Sequence, residues 1–277
     1  MTVSRLVSIV TVLAFLAPAV FAEETVRISG TGGGIGPMKL LGNAFGKKHP
    51  GVTVNVLPST GSAGGIKAVA AGKLDVAISS RRIRQEEEVP GLVEVPYAKT
   101  AFIFATSSSN PVGGFSLSEI QDIYSGKKTR WPDGKRIYLV IRPVTDAFTG
   151  FLEKLSPGMK DAVELAHKRP GIFTGITDQD AADQIERNPG SFGVTSYSLV
   201  ASEKRNIKPL AVDGISPVGK NGINDKYPYF MTFYLVHMKD RDTGATRNFI
   251  DYIDSKEGEK ILRMTGQIPI EKAKGQP

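Results

Sequence analysis

Val26-Arg27-Ile28-Ser29-Gly30-Thr31-Gly32-Gly33-Gly34-Ile35-Gly36-Pro37 decides how this 277-residue chain is read. Val26 to Ser29 has the branched apolar character of a short strand. Residues 30–36 form a glycine-rich turn, and Pro37, with its fixed φ and missing N–H, suits the first position of a helix. Met38, Leu41 and Phe45 then fall on one face at helical spacing, and Lys47-Lys48-His49 before Pro50-Gly51 ends the helix. A strand that passes through glycines into a helix aims backbone N–H groups and the positive end of the helix dipole at one point, which suits an anion. The plain alternative is a tight turn with no ligand. Lys39 is followed by Leu40, so the phosphate-loop ending Gly-Lys-Ser/Thr is absent, and no glycine triple has the dinucleotide spacing.

The same grammar repeats downstream. Val52, Val54 and Val56 alternate with polar residues as a half-buried strand. Thr60 to Gly65 is a second small-residue turn, Ile66, Val69 and Ala70 begin a helix that ends at Gly72, and Leu74 to Ile78 is a third strand. Strand–helix–strand–helix–strand with short connections predicts a parallel sheet covered by helices. Further on, the pattern predicts strands at 101–105, 137–141, 192–195 and 230–236. It predicts helices over 116–125, from Thr145 or Asp146 through Leu155, from Asp178 as N-cap to Asn188, around Thr243 to Asp254, and over Lys256 to Met264. The chain is therefore α/β, and the repetition predicts two α/β lobes.

Composition narrows the function. Arg5, the apolar run Leu6 to Leu16 and Val20-Phe21-Ala22 read as a secretory signal peptide cleaved after Ala22, since the run is shorter than the ~20 residues of a bilayer span. Cysteine is absent, which excludes disulfides, thiolate chemistry and cysteine–metal sites. The formal charge of +7 is compatible with anion handling. Export and the lack of aromatic residues interleaved with basic ones argue against nucleic acid. His49, His167 and His237 are scattered at no metal-ligand spacing, no Gly-x-Ser-x-Gly elbow is present, and Ser125-Gly-Lys-Lys128 is too short a match to signify an enzyme. No cofactor, metal or catalytic residue is expected.

Arg142, at the C-terminal end of a predicted strand, is the best charged candidate, because ligands of open α/β sheets sit beyond those ends and arginine can grip an oxyanion bidentately. Thr145-Asp146 after it either adds an amide donor or only caps a helix. Arg82 and Arg84 read as solvated charges balanced by Glu86, Glu87 and Glu88; Arg81 stays open. Trp131 reads as packing.

Taken in order, these pieces resemble the periplasmic phosphate-binding proteins of ATP-driven phosphate uptake. The similarity lies in Ser29-Gly-Thr-Gly-Gly-Gly34, Gly61-Ser-Ala-Gly-Gly-Ile66, Leu74-Asp-Val-Ala-Ile-Ser-Ser80, Leu117 to Gly126, Trp131, Val140-Ile-Arg142, Pro189-Gly-Ser-Phe-Gly193 and Gly266-Gln-Ile-Pro269. The resemblance implies a two-lobed periplasmic-binding-protein type II fold with a hinge of two crossover strands. Residues 23–102 and 228–277 would form lobe 1, and 103–227 lobe 2. It implies an anion held by the backbone of Gly33, Gly34 and Ile35, by Ser62 and Ser80, by Arg142, and by Asp146 to Thr149 at a helix start. It also implies a monomer that serves an ABC-type membrane permease. Two departures stand out. Ser80 occupies the place of an aspartate that accepts the proton of hydrogen phosphate, and Val144 to Thr149 replaces a loop of small residues, with Phe148 adding bulk.

Capture of phosphate or a related tetrahedral oxyanion is thus the leading expectation. A sensing or scaffolding binding protein with a remodelled pocket and a non-phosphate ligand is the alternative, and a secreted hydrolase a third.

Overall fold

The computed structural model describes residues 23–220, 222–242 and 244–271. The signal segment expected at 1–22, Thr243 and the tail 272–277 lie outside them.

Ten strands build one mixed sheet: β1 (Glu24–Gly30), β2 (Val52–Val56), β3 (Val76–Ser79), β4 (Leu92–Ser107), β5 (Tyr138–Ile141), β6 (Phe173–Thr174), β7 (Ser191–Ser196), β8 (Ile207–Pro209), β9 (Phe230–Met238) and β10 (Ile268–Pro269). The helices are α1 (Gly32–Lys48), α2 (Gly61–Ala70), α3 (Leu117–Ser125), α4 (Ala147–Leu152), α5 (Pro157–Lys168), α6 (Asp178–Arg187), α7 (Tyr197–Ser202), α8 (Gly244–Ile253) and α9 (Lys256–Met264). Across the sheet the order is β2-β1-β3-β9-β4-β7-β5-β6, with β8 and β10 also pairing with β4.

Two lobes share this sheet. In the first, β1 pairs in parallel with β2 and β3, as the repeated strand–helix pattern requires, and β9 runs antiparallel between β3 and β4. In the second, β5 lies parallel to β6 and β7. β4 belongs to both: its residues 92–101 pair with β9 and Phe102–Ala105 pair with β7. Met38, Leu41 and Phe45 are fully buried under the first lobe, where Phe45 meets Phe249 of α8 edge-on at 5.3 Å. Phe115, Trp131 and Phe192 fill the second, with Trp131 stacked on Phe115 and donating to the Gly190 carbonyl.

Three local expectations are corrected. α1 starts at Gly32, so the glycines are its first turn and Pro37 lies inside it. Glycine is disfavoured in helices by about 1 kcal/mol relative to alanine, but here close approach outweighs propensity. A Cβ on Gly32 would sit 2.6 Å from the Cβ of Asp178, and one on Gly33 would sit 2.4 Å from Ser196 Oγ. α6 is capped by Thr177, which exchanges hydrogen bonds with Asp180, and Asp178 is instead its first helical residue. The strand expected at 101–105 extends back to Leu92, with Pro96 tolerated where the pairing with β9 shifts register between Phe233 and Tyr234.

Candidate anion site between the lobes

The start of α1, the residue after β5 and the start of α6 come together. Arg142 is 3% exposed and Asp178 5%. One oxygen of Asp178, Oδ2, accepts from the Gly33 amide and from Thr31 Oγ1, both at 2.9 Å. The other, Oδ1, accepts from Arg142 Nη2 at 2.9 Å. Thr31 is the N-cap of α1, yet its hydroxyl makes no bond to its own helix. The carboxylate of another helix satisfies the Gly33 amide in its place. The donors that meet on Asp178 are of the kinds read from the sequence: a glycine N–H at a helix start and an arginine.

The rest of the Arg142 guanidinium is also engaged. Nη1 donates to the Gly175 carbonyl at 2.8 Å, Nη2 to Asp146 Oδ2 at 3.0 Å, and Nε to Asp146 Oδ1 at 3.4 Å. Asp146 caps α4 by accepting from the Phe148 amide at 2.9 Å. One guanidinium therefore faces two carboxylates. Burial, opposed by the charge of Arg142 and reinforced by that of Asp178, holds the Asp146 carboxyl above the usual aspartate range. An oxyanion brought into contact with Asp178 would add a further like-charge pair. At 4 Å such a pair costs about 4 kcal/mol at an effective dielectric near 20. The position between Thr31, Gly33 and Arg142 is filled by the Asp178 carboxylate.

The other residues singled out from the sequence lie as follows. The Gly34 amide donates to the Thr31 carbonyl at 3.1 Å, and Ile35 is buried in the first-lobe core. Ser62, at the start of α2, and Ser80, just after β3, pair with each other: their hydroxyls are 3.2 Å apart and the Ser80 amide donates to Ser62 Oγ at 3.0 Å. Thr149 donates its hydroxyl to the Pro143 carbonyl at 2.9 Å and so closes the turn between β5 and α4. Phe148 points into the core, 5.6 Å from Phe102. Gly33, Arg142 and Asp146 thus belong to one hydrogen-bonded chain through Asp178, while Ser62 and Ser80 form a separate pair.

Arg81, left open above, makes a two-point ion pair with Glu87. Arg82 lies near Glu94 and over the Tyr234 ring, and Arg84 donates to the Thr145 carbonyl at 3.2 Å. Sequence reasoning missed Thr31 and Asp178. The available signal was the Thr177-x-x-Asp180 capping box, which leaves Asp178 with no capping duty.

A cavity of about 460 Å³ opens elsewhere, beside the N-terminal end of β5, with Lys128, Arg130, Arg136 and Arg169 in its lining. Lys128 is paired with Glu119 and Arg169 donates weakly to the Ile123 carbonyl. Its lining runs from Arg136 along β5 to Val140 without including Arg142, and it receives neither glycine-rich segment. Among the described residues no group of three or more His, Cys, Asp or Glu side chains could hold a metal ion, and no helix is long and apolar enough to cross a membrane.

Residues 18–257 match the family model described as the PBP superfamily domain. Protein SphX of Synechococcus elongatus is 25% identical over 249 residues, covering 82% of this chain and 72% of that protein. Phosphate-binding protein PstS 2 of Streptococcus agalactiae is 31% identical over 90 residues, which is 32% of this chain and 30% of that protein. A phosphate ABC transporter-type substrate-binding protein from Clostridium perfringens, solved with bound phosphate, superposes with a TM-score of 0.75 at 26% identity, covering 90% of this chain and all of that one. The chain belongs to the PBP superfamily and has its two-lobed α/β fold. Within that superfamily its similarity is to phosphate-binding proteins.

Proposed function

We propose that the protein captures phosphate or a related tetrahedral oxyanion between its lobes and delivers it to an ABC-type membrane permease. The observation that carries this reading is the grip of Thr31, Gly33 and Arg142 on a carboxylate: donors suited to an anion converge from both lobes on one buried point. Gly33, Gly34, Ile35, Ser62, Ser80, Arg142, Asp146 and Thr149 are the proposed lining. Residues 23–102 with 228–277 and residues 103–227 are the bodies that close on the solute. The protein acts as a monomer in the periplasm once the segment ending at Ala22 is removed, and the reading includes no catalytic step or cofactor.

Sensing or scaffolding with a different anionic ligand is the second reading. It is favoured by Ser80 standing in place of the family's aspartate and by Asp178 lying in the anion position. A thermal-shift series with phosphate, sulfate, molybdate and tungstate separates the two, because a ligand that binds only the folded state raises Tm. Stabilisation by at least one of these supports capture of an oxyanion. A flat response to all of them removes it and leaves the second reading.

A further inference from the structure

We infer that Asp178 is a resident anion: a carboxylate of the chain itself that latches the lobes together without solute and that an incoming oxyanion must displace. The inference rests on the proposed anion site and concerns its regulation. Four observations support it.

First, the carboxylate bridges the lobes. It takes Thr31 Oγ1 and the Gly33 amide from the start of α1 on one side, and Arg142 from the end of β5 on the other. These are donors a bound oxyanion would need. Second, Asp178 is not needed to cap its own helix, because Thr177 and Asp180 already cap α6. Third, Thr31 has given up the usual N-cap bond in favour of this contact, so α1 is completed from the other lobe. Fourth, the two carboxylates on Arg142 are not equivalent. Asp146 is fixed by the Phe148 amide and bonds Arg142 from four residues further along the same segment. Opening the lobes leaves those bonds intact. Asp178 would lose both of its bonds to α1, while Asp146 continues to neutralise Arg142.

Asp178 is therefore the carboxylate whose departure leaves Arg142 still neutralised, by Asp146. Solute binding becomes an exchange of one anion for another, and the apparent affinity is lowered by the fraction of molecules in which the latch is shut. A monoanionic carboxylate offers no more than Asp178 already does. A tetrahedral dianion brings additional acceptor oxygens and charge.

The test uses the mature protein and its Asp178→Ala variant, with inorganic phosphate as the probe. In the absence of added anion, wild type should scatter X-rays as the closed form, and saturating phosphate should change its radius of gyration little. Asp178→Ala should be more open without anion and should close with phosphate. Its affinity for phosphate, measured by calorimetry, should be about tenfold or more tighter than that of wild type. Removing an ordinary lining residue would weaken binding, so the direction of the change separates a latch from a contact. Thr31→Val, which deletes a donor and leaves Asp178 in place, should also open the free protein. It covers the case in which Asp178→Ala fails to fold. An anion-free variant as closed as wild type, or phosphate affinity unchanged or weakened in Asp178→Ala, overturns the latch. If neither protein binds phosphate, sulfate, molybdate or tungstate but the variant alone opens, the proposed function fails and the exchange of solute for Asp178 fails with it, while the tie from Asp178 to Thr31 and Gly33 stands.

Discussion

Ser198 donates its hydroxyl to the carbonyl of Gly33 at 2.8 Å, supplying the hydrogen bond that Pro37, four residues along α1, has no N–H to make. Proline in a helix interior removes one donor, and an unsatisfied buried carbonyl is costly. Here α7 brings that donor to the first turn of α1, whose Gly33 amide meets Asp178.

Ser198→Ala should therefore lower stability by about 1–3 kcal/mol, the cost of a buried acceptor left unpaired. Urea unfolding of the variant and wild type measures it. A difference near zero would mean that the Gly33 carbonyl finds another donor.

Arg142→Ala should weaken oxyanion binding by about 1.5–3 kcal/mol, roughly ten- to a hundredfold. Arg169→Ala, in the basic cavity beside β5, should leave it unchanged. Calorimetry on both variants locates the site. The reverse pattern would move it to that cavity.

Ser80→Asp should raise the preference for phosphate over sulfate by about tenfold, near 1.4 kcal/mol. A carboxylate beside the ligand can accept the proton of hydrogen phosphate but repels an anion that has none. Competition between the two anions in each protein reads this out, and an unaltered ratio would place Ser80 away from the ligand.

Asp75 carries a pH prediction. Burial raises its carboxyl pKa, but its hydrogen bonds from the Arg27 guanidinium and amide and the Arg27 charge outweigh this and hold it below the usual aspartate value. A depressed folded value contributes stability above the unfolded value of about 3.9, and that contribution is lost as pH falls through the folded value. The pair is partly exposed, so the contribution is about 1 kcal/mol. Asp75→Asn should cost that amount at pH 7, and the gap from wild type should close as pH falls below about 4. Denaturant titrations at both ends check the sign.

Much of the first lobe was legible because its pattern is local. Val52, Val54 and Val56 alternate, and Met38, Leu41 and Phe45 share a face; all three of the latter are fully buried. The placement of β9 between β3 and β4 was not, since a pairing of Leu235 with both Ile78 and Val95 leaves no trace in nearby residues. α5 carries a visible start in Ser156-Pro157, but two of the four buried residues on its inner face are alanines, which weakens the hydrophobic signal. Part of the site was legible for the same reason. Arg142 and the glycine run are recognised by type and by position at strand ends. Asp178 takes its role from α1, 145 residues earlier in the chain at Gly33, and no local rule reports such a contact.

The Phe102 amide donates to the Tyr229 carbonyl at 3.0 Å, and the Tyr227 hydroxyl donates to the Phe102 carbonyl at 3.0 Å. β4 and the segment leading into β9 are thus stitched together where the paired sheet passes from one lobe to the other. A double connection tied at its midpoint resists twisting and sideways slip but yields to flexing about a single axis, as a leaf spring does. Such a tie would leave the proposed lobes one angular coordinate, along which the bonds of Thr31 to Asp178 and of Arg84 to the Thr145 carbonyl would be made or broken.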